Sequence, residues 1–142
     1  MIRILTAAVV GVSMLAAPAW SMDQEELAEA ITDYMDFATY DSGIIVPEQL
    51  DQAVFESAVF VDTRDAGQFA AAAIPGAINI EWREIPGRLD ELPDSGMVIL
   101  YCNTGSLSSQ AVFAARLLGH ENVLVLQSGF DGWQQNAAWK PN

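Results

Sequence analysis

The 142-residue chain contains one cysteine, Cys102, and one histidine, His120. Both bear on what chemistry is available. The segment MVILYCNTGSLSSQAVFAARLLG places Cys102 between an apolar run that stops at Tyr101 and a helix-like run that follows. Cys102 opens a short loop of small residues in which Ser108 has the residue type of a helix cap and Gly119 that of a helix stop. Gly105 frees the loop backbone to turn its amides inward. Amides gathered at a helix amino terminus bind anions, and a thiolate held there has a lowered pKa without a charged neighbour. The alternative is a small buried cysteine that serves packing alone.

Other cysteine chemistries meet obstacles in the same residues. A cysteine phosphatase closes its loop with an arginine six positions after the nucleophile, to clamp phosphate in bidentate fashion, and here that position holds Ser108. A cysteine hydrolase needs a histidine within hydrogen-bond reach. His120 lies past the far end of the following helix, roughly 16 Å from Cys102 at about 1.5 Å per residue, and reads as structural or solvent-exposed. One cysteine and one histidine cannot assemble a thiolate and imidazole zinc cluster, and there is no glycine-lysine phosphate loop or G-x-S-x-G elbow. What survives is a nucleophilic thiolate that needs neither base, metal nor organic cofactor. Sulfur transfer fits, because the thiolate attacks a sulfane sulfur and the same amides stabilise the persulfide anion.

Short apolar runs and helical stretches alternate around this loop. Residues Met22 to Ala38 predict a helix with Leu27, Ile31, Tyr34 and Met35 on one face. Asp23, Glu25 and Glu26 favour its positive end, and it is expected to cover the core. After a turn at Asp41-Ser42-Gly43, GIIV predicts a strand and PEQLDQAVF a helix opened by Pro47. SAVFVD, AINI, MVILY and VLVL then predict strands, separated by the helical segments DAGQFAAA, RLDEL and SSQAVFAARLL, with GFDGWQQN as a final helix. Strands that are apolar without alternation are covered on both faces. The regular exchange predicts an α/β fold with a mostly parallel sheet. In such sheets ligands sit beyond the carboxyl ends of the strands, where Cys102 falls.

The chain has 19 acidic and 6 basic residues, a formal net charge of -13 and an isoelectric point near 4.1. A surface so acidic repels phosphate backbones and argues against nucleic-acid binding. With 51% apolar and 18% charged residues, one packed domain is expected rather than a disordered chain. Residues 1 to 21 are expected to form a signal peptide: Arg3, the apolar run Ile4 to Ala17, then the small residues of APAWS. Cleavage after Ala19 or after Ser21 fits equally. The alternative is a retained membrane anchor, since about 20 apolar residues can span a bilayer, but Pro18 and the alanine-rich composition favour removal. Residues 22 to 142 would then form a single domain, periplasmic or otherwise secreted, without stable membrane insertion and with 5 basic against 19 acidic residues.

Three segments, VDTRDAGQFAAAAIPGAINIEW (Val61 to Trp82), YCNTGSLSS (Tyr101 to Ser109) and SGFDGW (Ser128 to Trp133), together resemble the rhodanese family. The resemblance runs from about Ile44 to Trp139. It implies a rhodanese-like α/β fold with a five-stranded, mainly parallel sheet and helices on both faces. It also implies a catalytic Cys102 persulfide, a substrate cradle formed by Asn103, Thr104, Gly105, Ser106, Leu107 and Ser108, and a small sulfur-containing substrate. By analogy the donor is thiosulfate or another sulfane sulfur, and the acceptor cyanide or a thiol. Two positions depart from the family. Many members carry an arginine at the place of Leu107 or one residue earlier, whereas this loop has no cation, which should weaken capture of a thiosulfate dianion by so acidic a chain. Ala72-Ala73 stands where Gly-His is usual, a change expected to alter packing more than chemistry.

Several residues compete for supporting roles. Arg64 follows a strand and either lends positive potential to the Cys102 site or makes a local ion pair with Asp62 that fixes the turn; Arg83 has a similar location. Leu107 and Trp82 could form an apolar wall for an organic thiol. Trp133 and Trp139 read as packing residues, and the acids between Asp23 and Asp51 as a solvated face. Three functions follow: a sulfurtransferase, a persulfide carrier or redox relay for an exported partner protein, and a binding module that kept the fold and lost the chemistry. An unpaired thiol is a liability in an oxidising compartment, so the presence of Cys102 weighs against the last.

Overall fold

A computed structural model describes residues 23–141; the expected signal segment lies outside the described residues. Five strands form one sheet: β1 (Ile44–Ile45), β2 (Val59–Asp62), β3 (Ile78–Asn79), β4 (Val98–Tyr101) and β5 (Val123–Leu126). Their order is β1-β5-β4-β2-β3 and every pair is parallel. Side chains alternate between the faces, as strand geometry requires. Val98 and Leu100 of β4 join Val61, Val123 and Val125 in one apolar cluster, while Ile99 and Tyr101 join Phe60, Leu126, Phe130 and Trp133 in the other. All four β4 residues are buried, which explains why this strand carries no polar alternation in the sequence.

Helices cover both faces: α1 (Gln24–Phe37), α2 (Gln52–Ser57), α3 (Ala66–Ala71), α4 (Ser106–Leu117) and α5 (Gly129–Asn136). The first cluster is closed by Ala111, Val112 and Ala115 of α4, and the second by Phe130 and Trp133 of α5 with Val54 and Phe55 of α2. Because all strands run the same way, the carboxyl ends of β2, β3 and β4 open at one edge, where the site is built.

Three sequence expectations change in detail. The helix expected from Pro47 divides into a 3-10 turn, Pro47–Gln49, and α2, because Asp51 caps a new start by accepting from the Val54 N–H at 2.8 Å. Helix α1 covers the core only loosely. It has no buried residue, Leu27 and Met35 are exposed, and its hold is Tyr34, whose ring meets Phe113 of α4 edge-on at 5.5 Å and whose hydroxyl accepts from Arg116 Nε at 3.0 Å. Helix α4 begins at Ser106 with Gly105 as its cap residue, three positions before a Ser108 cap would allow. Among the described residues no helix is long and apolar enough to cross a membrane.

Candidate active site

Strand β4 delivers Cys102 to the carboxyl edge of the sheet, and the chain must then reverse into α4 within four residues. Gly105 makes this possible with φ 94°, in the left-handed region that residues with a side chain resist. A Cβ there would also stand 3.3 Å from the Leu126 carbonyl. The early start leaves the amides of Ser106, Leu107 and Ser108 without partners inside the helix. Ser108 is therefore a first-turn residue facing back toward Cys102. Its hydroxyl has two acceptors within reach, Cys102 Sγ at 3.6 Å and the Gly105 carbonyl at 3.1 Å.

Cys102 is only 4% exposed, yet it lines an open pocket of about 350 Å³. Burial alone would push its thiol pKa up. The N–H and hydroxyl of Ser108 and the N–H groups of Leu107 and Thr104 act in the opposite direction and prevail, so the thiol lies below its ordinary value. Of the six cradle residues expected, Asn103, Thr104, Ser106 and Leu107 line the pocket beside Cys102, whereas Gly105 and Ser108 are buried behind them.

The backbone of the loop is gripped from the other side by α5, a role that the segment SGFDGW did not disclose. The Phe130 N–H donates to the Cys102 carbonyl at 2.7 Å, and the Asp131 N–H to the Asn103 carbonyl at 3.0 Å. So close an approach leaves no room for a side chain at Gly129, where a Cβ would stand 2.3 Å from the Cys102 carbonyl oxygen. Ser128 and Gly129 are both left-handed, with φ 63° and 55°. A non-glycine residue pays about 1–2 kcal/mol for that conformation, and strain of this kind gathers at functional sites. The paired glycines Gly129 and Gly132 around Phe130 were the available signal.

Arg64 resolves in favour of the ion pair, with an added reach. It is 7% exposed, its Nη2 lies 2.5 Å from Asp62 Oδ2, and its Nε donates to the same carboxylate. Donating to the Asp62 carboxylate holds the guanidinium more firmly protonated than usual. It also donates to the Ala72 carbonyl at 2.6 Å and to Asn103 Oδ1 at 3.2 Å, and stacks 4.5 Å from the Phe130 ring centroid. Arg64 thus joins the β2 turn, the cysteine loop and α5. Asn79 braces the same turn, donating from Nδ2 to the carbonyls of Asp62 and Arg64 at 2.9 Å each.

The outer wall comes from the chain after β3. Glu81, Trp82 and Arg83 line the pocket together with Asp65 and Leu107. Arg83 is exposed and paired to Glu81 at 3.0 Å. Trp82 packs partly against the core, and its N–H donates to the Thr63 carbonyl at 3.0 Å. His120 is not among the pocket residues; it follows α4 and donates from its N–H to the Ala115 carbonyl. Trp133 stacks on Phe130 and Trp139 meets Phe55, both as packing residues.

This arrangement of parallel sheet, edge cysteine and amide-lined loop is that of a rhodanese-like domain, and the family profile of that description matches residues 46–136. The chain belongs to this family. It is similar to a sulfurtransferase of Allochromatium vinosum, 32% identical over 57% of this chain and 76% of the relative. It is 34% identical to the thiosulfate sulfurtransferase GlpE of Actinobacillus succinogenes, over 64% of this chain and 83% of the relative. The human single-domain sulfurtransferase TSTD1 superposes with a TM-score of 0.59, over 66% of this chain and 96% of that one, at 22% identity.

Proposed function

We propose that this protein is a sulfurtransferase whose Cys102 carries sulfur as a persulfide. The observation that supports this reading is a thiol at the floor of an open pocket whose pKa is lowered despite burial. With thiosulfate, the thiolate attacks the outer sulfur, a new S–S bond forms at Sγ, and the S–S bond of the donor breaks to release sulfite. Cyanide then attacks the outer sulfur of the persulfide, thiocyanate leaves and the thiolate returns. The same amides that favour the thiolate serve the persulfide anion, so neither step needs a general base.

A second reading, a persulfide carrier for a partner protein, draws support from the pocket's charge balance. Among the described residues both guanidinium groups at the pocket are already paired with carboxylates, so neither is a free cation for drawing in small anions. Incubation with thiosulfate followed by intact mass measurement tests both. A gain of one sulfur atom, absent in Cys102→Ser and reversed quickly by cyanide, is expected for the enzyme. Gain with slow reversal supports the carrier, and no gain from any sulfane donor overturns both in favour of a binding module. The apolar run Ile4 to Ala17 and the small residues after it support action after export to the periplasm; a mass equal to the full chain in the periplasmic fraction would overturn cleavage after Ala19 or Ser21.

A further inference from the structure

Helix α1 and the turn after it lie outside residues 46–136, the part of the chain that matches the family domain. They do little for the core: α1 buries no residue and is held through Tyr34, which meets Phe113 and Arg116 of α4. Apolar side chains nevertheless gather at its end, where Met35 is exposed, Phe37 is 88% exposed and Tyr40 is wholly in solvent. Between α1 and the carboxyl end of α4 lies an open groove of about 440 Å³, whose lining includes Tyr34, Phe37 and Ala38 together with Asp33, Arg116 and Glu121. Exposed apolar surface beside such a groove marks an interaction site. The groove shares no lining residue with the Cys102 pocket, and Arg116 follows Ser106 by about 15 Å along α4.

Charge says what the groove receives. Helix α1 and its cap carry Asp23, Glu25, Glu26, Glu29, Asp33 and Asp36, and no lysine or arginine. Among the described residues none of these acids, nor Glu121, is in an ion pair. The Arg116 guanidinium is engaged by the groove walls, donating to the Tyr34 hydroxyl and to the Glu121 and Val123 carbonyls. A second copy of this chain would bring the same acids to the contact and be repelled, and an anionic lipid surface would be repelled likewise. A cationic segment is attracted.

We propose that the groove between α1 and the carboxyl end of α4 docks a basic segment of a partner protein, one that carries lysine or arginine beside apolar residues. Its apolar side chains cover Phe37 and Tyr34, and its cations pair with Asp33 and Glu121. An ammonium or guanidinium group over the exposed Phe37 ring gains a cation–π contact as well. Docking here tethers the partner and leaves the mouth of the Cys102 pocket open, so binding and sulfur chemistry are separable.

The test measures binding of short fluorescein-labelled peptides to the full-length protein by anisotropy at physiological ionic strength, where diffuse attraction is screened. The probes are a lysine–leucine peptide, a lysine–serine peptide of the same charge and a glutamate–leucine peptide. The first is expected to bind about tenfold or more tighter than the second, and the third not to bind. Phe37→Ser is expected to weaken the lysine–leucine complex by about tenfold or more, the scale of a truncated aromatic anchor. Asp33→Asn with Glu121→Gln should weaken it comparably, whereas Glu56→Gln with Asp94→Asn, an equal loss of charge at exposed positions outside the groove, should change it by less than about twofold. All of these variants should keep the wild-type rate of Cys102 alkylation. Equal losses in the two double variants, equal affinity for the two lysine peptides, or no binding of the lysine–leucine peptide overturns the inference. Self-association of the protein, or capture by phosphatidylglycerol vesicles, that Phe37→Ser abolishes would give the groove to a second copy or to a membrane, and overturns it too.

Discussion

At the floor of the pocket backbone meets backbone. The Cys102 and Asn103 carbonyls accept the first amides of α5, Gly105 passes under the Leu126 carbonyl, and Gly129 leaves no room for a methyl group. At the rim, Arg83 and Leu107 end in solvent, and Glu81 holds little beyond Arg83. The first region fixes where a sulfur anion can exist, and few residues other than those present satisfy its geometry. The second sets what can approach that anion, through side chains that can be exchanged without moving the chain. Chemistry and selectivity are therefore carried by separate parts of one pocket.

Substitutions should separate the two regions sharply. Arg64→Met strands Asp62 as a buried, unpaired carboxylate and is expected to cost about 3–5 kcal/mol in chemical denaturation, as for other broken buried pairs. A loss below 1 kcal/mol would show that solvent reaches this pair. Gly129→Ala forces a methyl group into the Cys102 carbonyl and is expected to destabilise by about 1–3 kcal/mol. It should also slow Cys102 alkylation by up to about a hundredfold, the scale of a 1 Å misplacement. Normal alkylation in a folded Gly129→Ala protein would place the control of the loop elsewhere.

Smaller effects are expected from the donors themselves. The lowered thiol means that the wild-type alkylation rate rises with pH and levels off at a lower pH than for free cysteine. Ser108→Ala removes a hydroxyl donor while burial persists, so the midpoint should move upward; an unchanged midpoint would leave the amides as sole cause. Smallest of all, Arg83→Gln at the rim should leave the thermal midpoint and the alkylation profile as they are, with any change confined to donor preference. A shifted profile would erase the division between floor and rim.

The parts that were legible in the sequence are those fixed by local rules. Short apolar runs and a glycine before a helix predicted β4, the reversal and α4, and the five strands appear where the runs stood. The two-residue spacing of Asp62 and Arg64 allowed their ion pair to be named. The contact from Arg64 to Asn103, 39 residues away, and the grip of α5 on the loop join segments distant in sequence and leave no local periodicity. The start of α4 differs from the sequence expectation for a related reason. A serine at Ser108 has cap chemistry, but the left-handed turn at Gly105 decides the start, and Ser108 turns toward sulfur instead. Helix α1 shows the reverse failure: its apolar face is regular, yet Leu27 and Met35 stay exposed.

The Ser108 hydroxyl has one proton and two oxygen or sulfur acceptors, the Gly105 carbonyl and Cys102 Sγ. The Gly105 carbonyl keeps the Ser109 N–H at 2.9 Å whichever way that proton points. A rotation about a single C–O bond can therefore follow the arrival or departure of negative charge on sulfur, while every heavy atom stays in place and the reorganisation that accompanies each half of a sulfur-relay cycle is kept small.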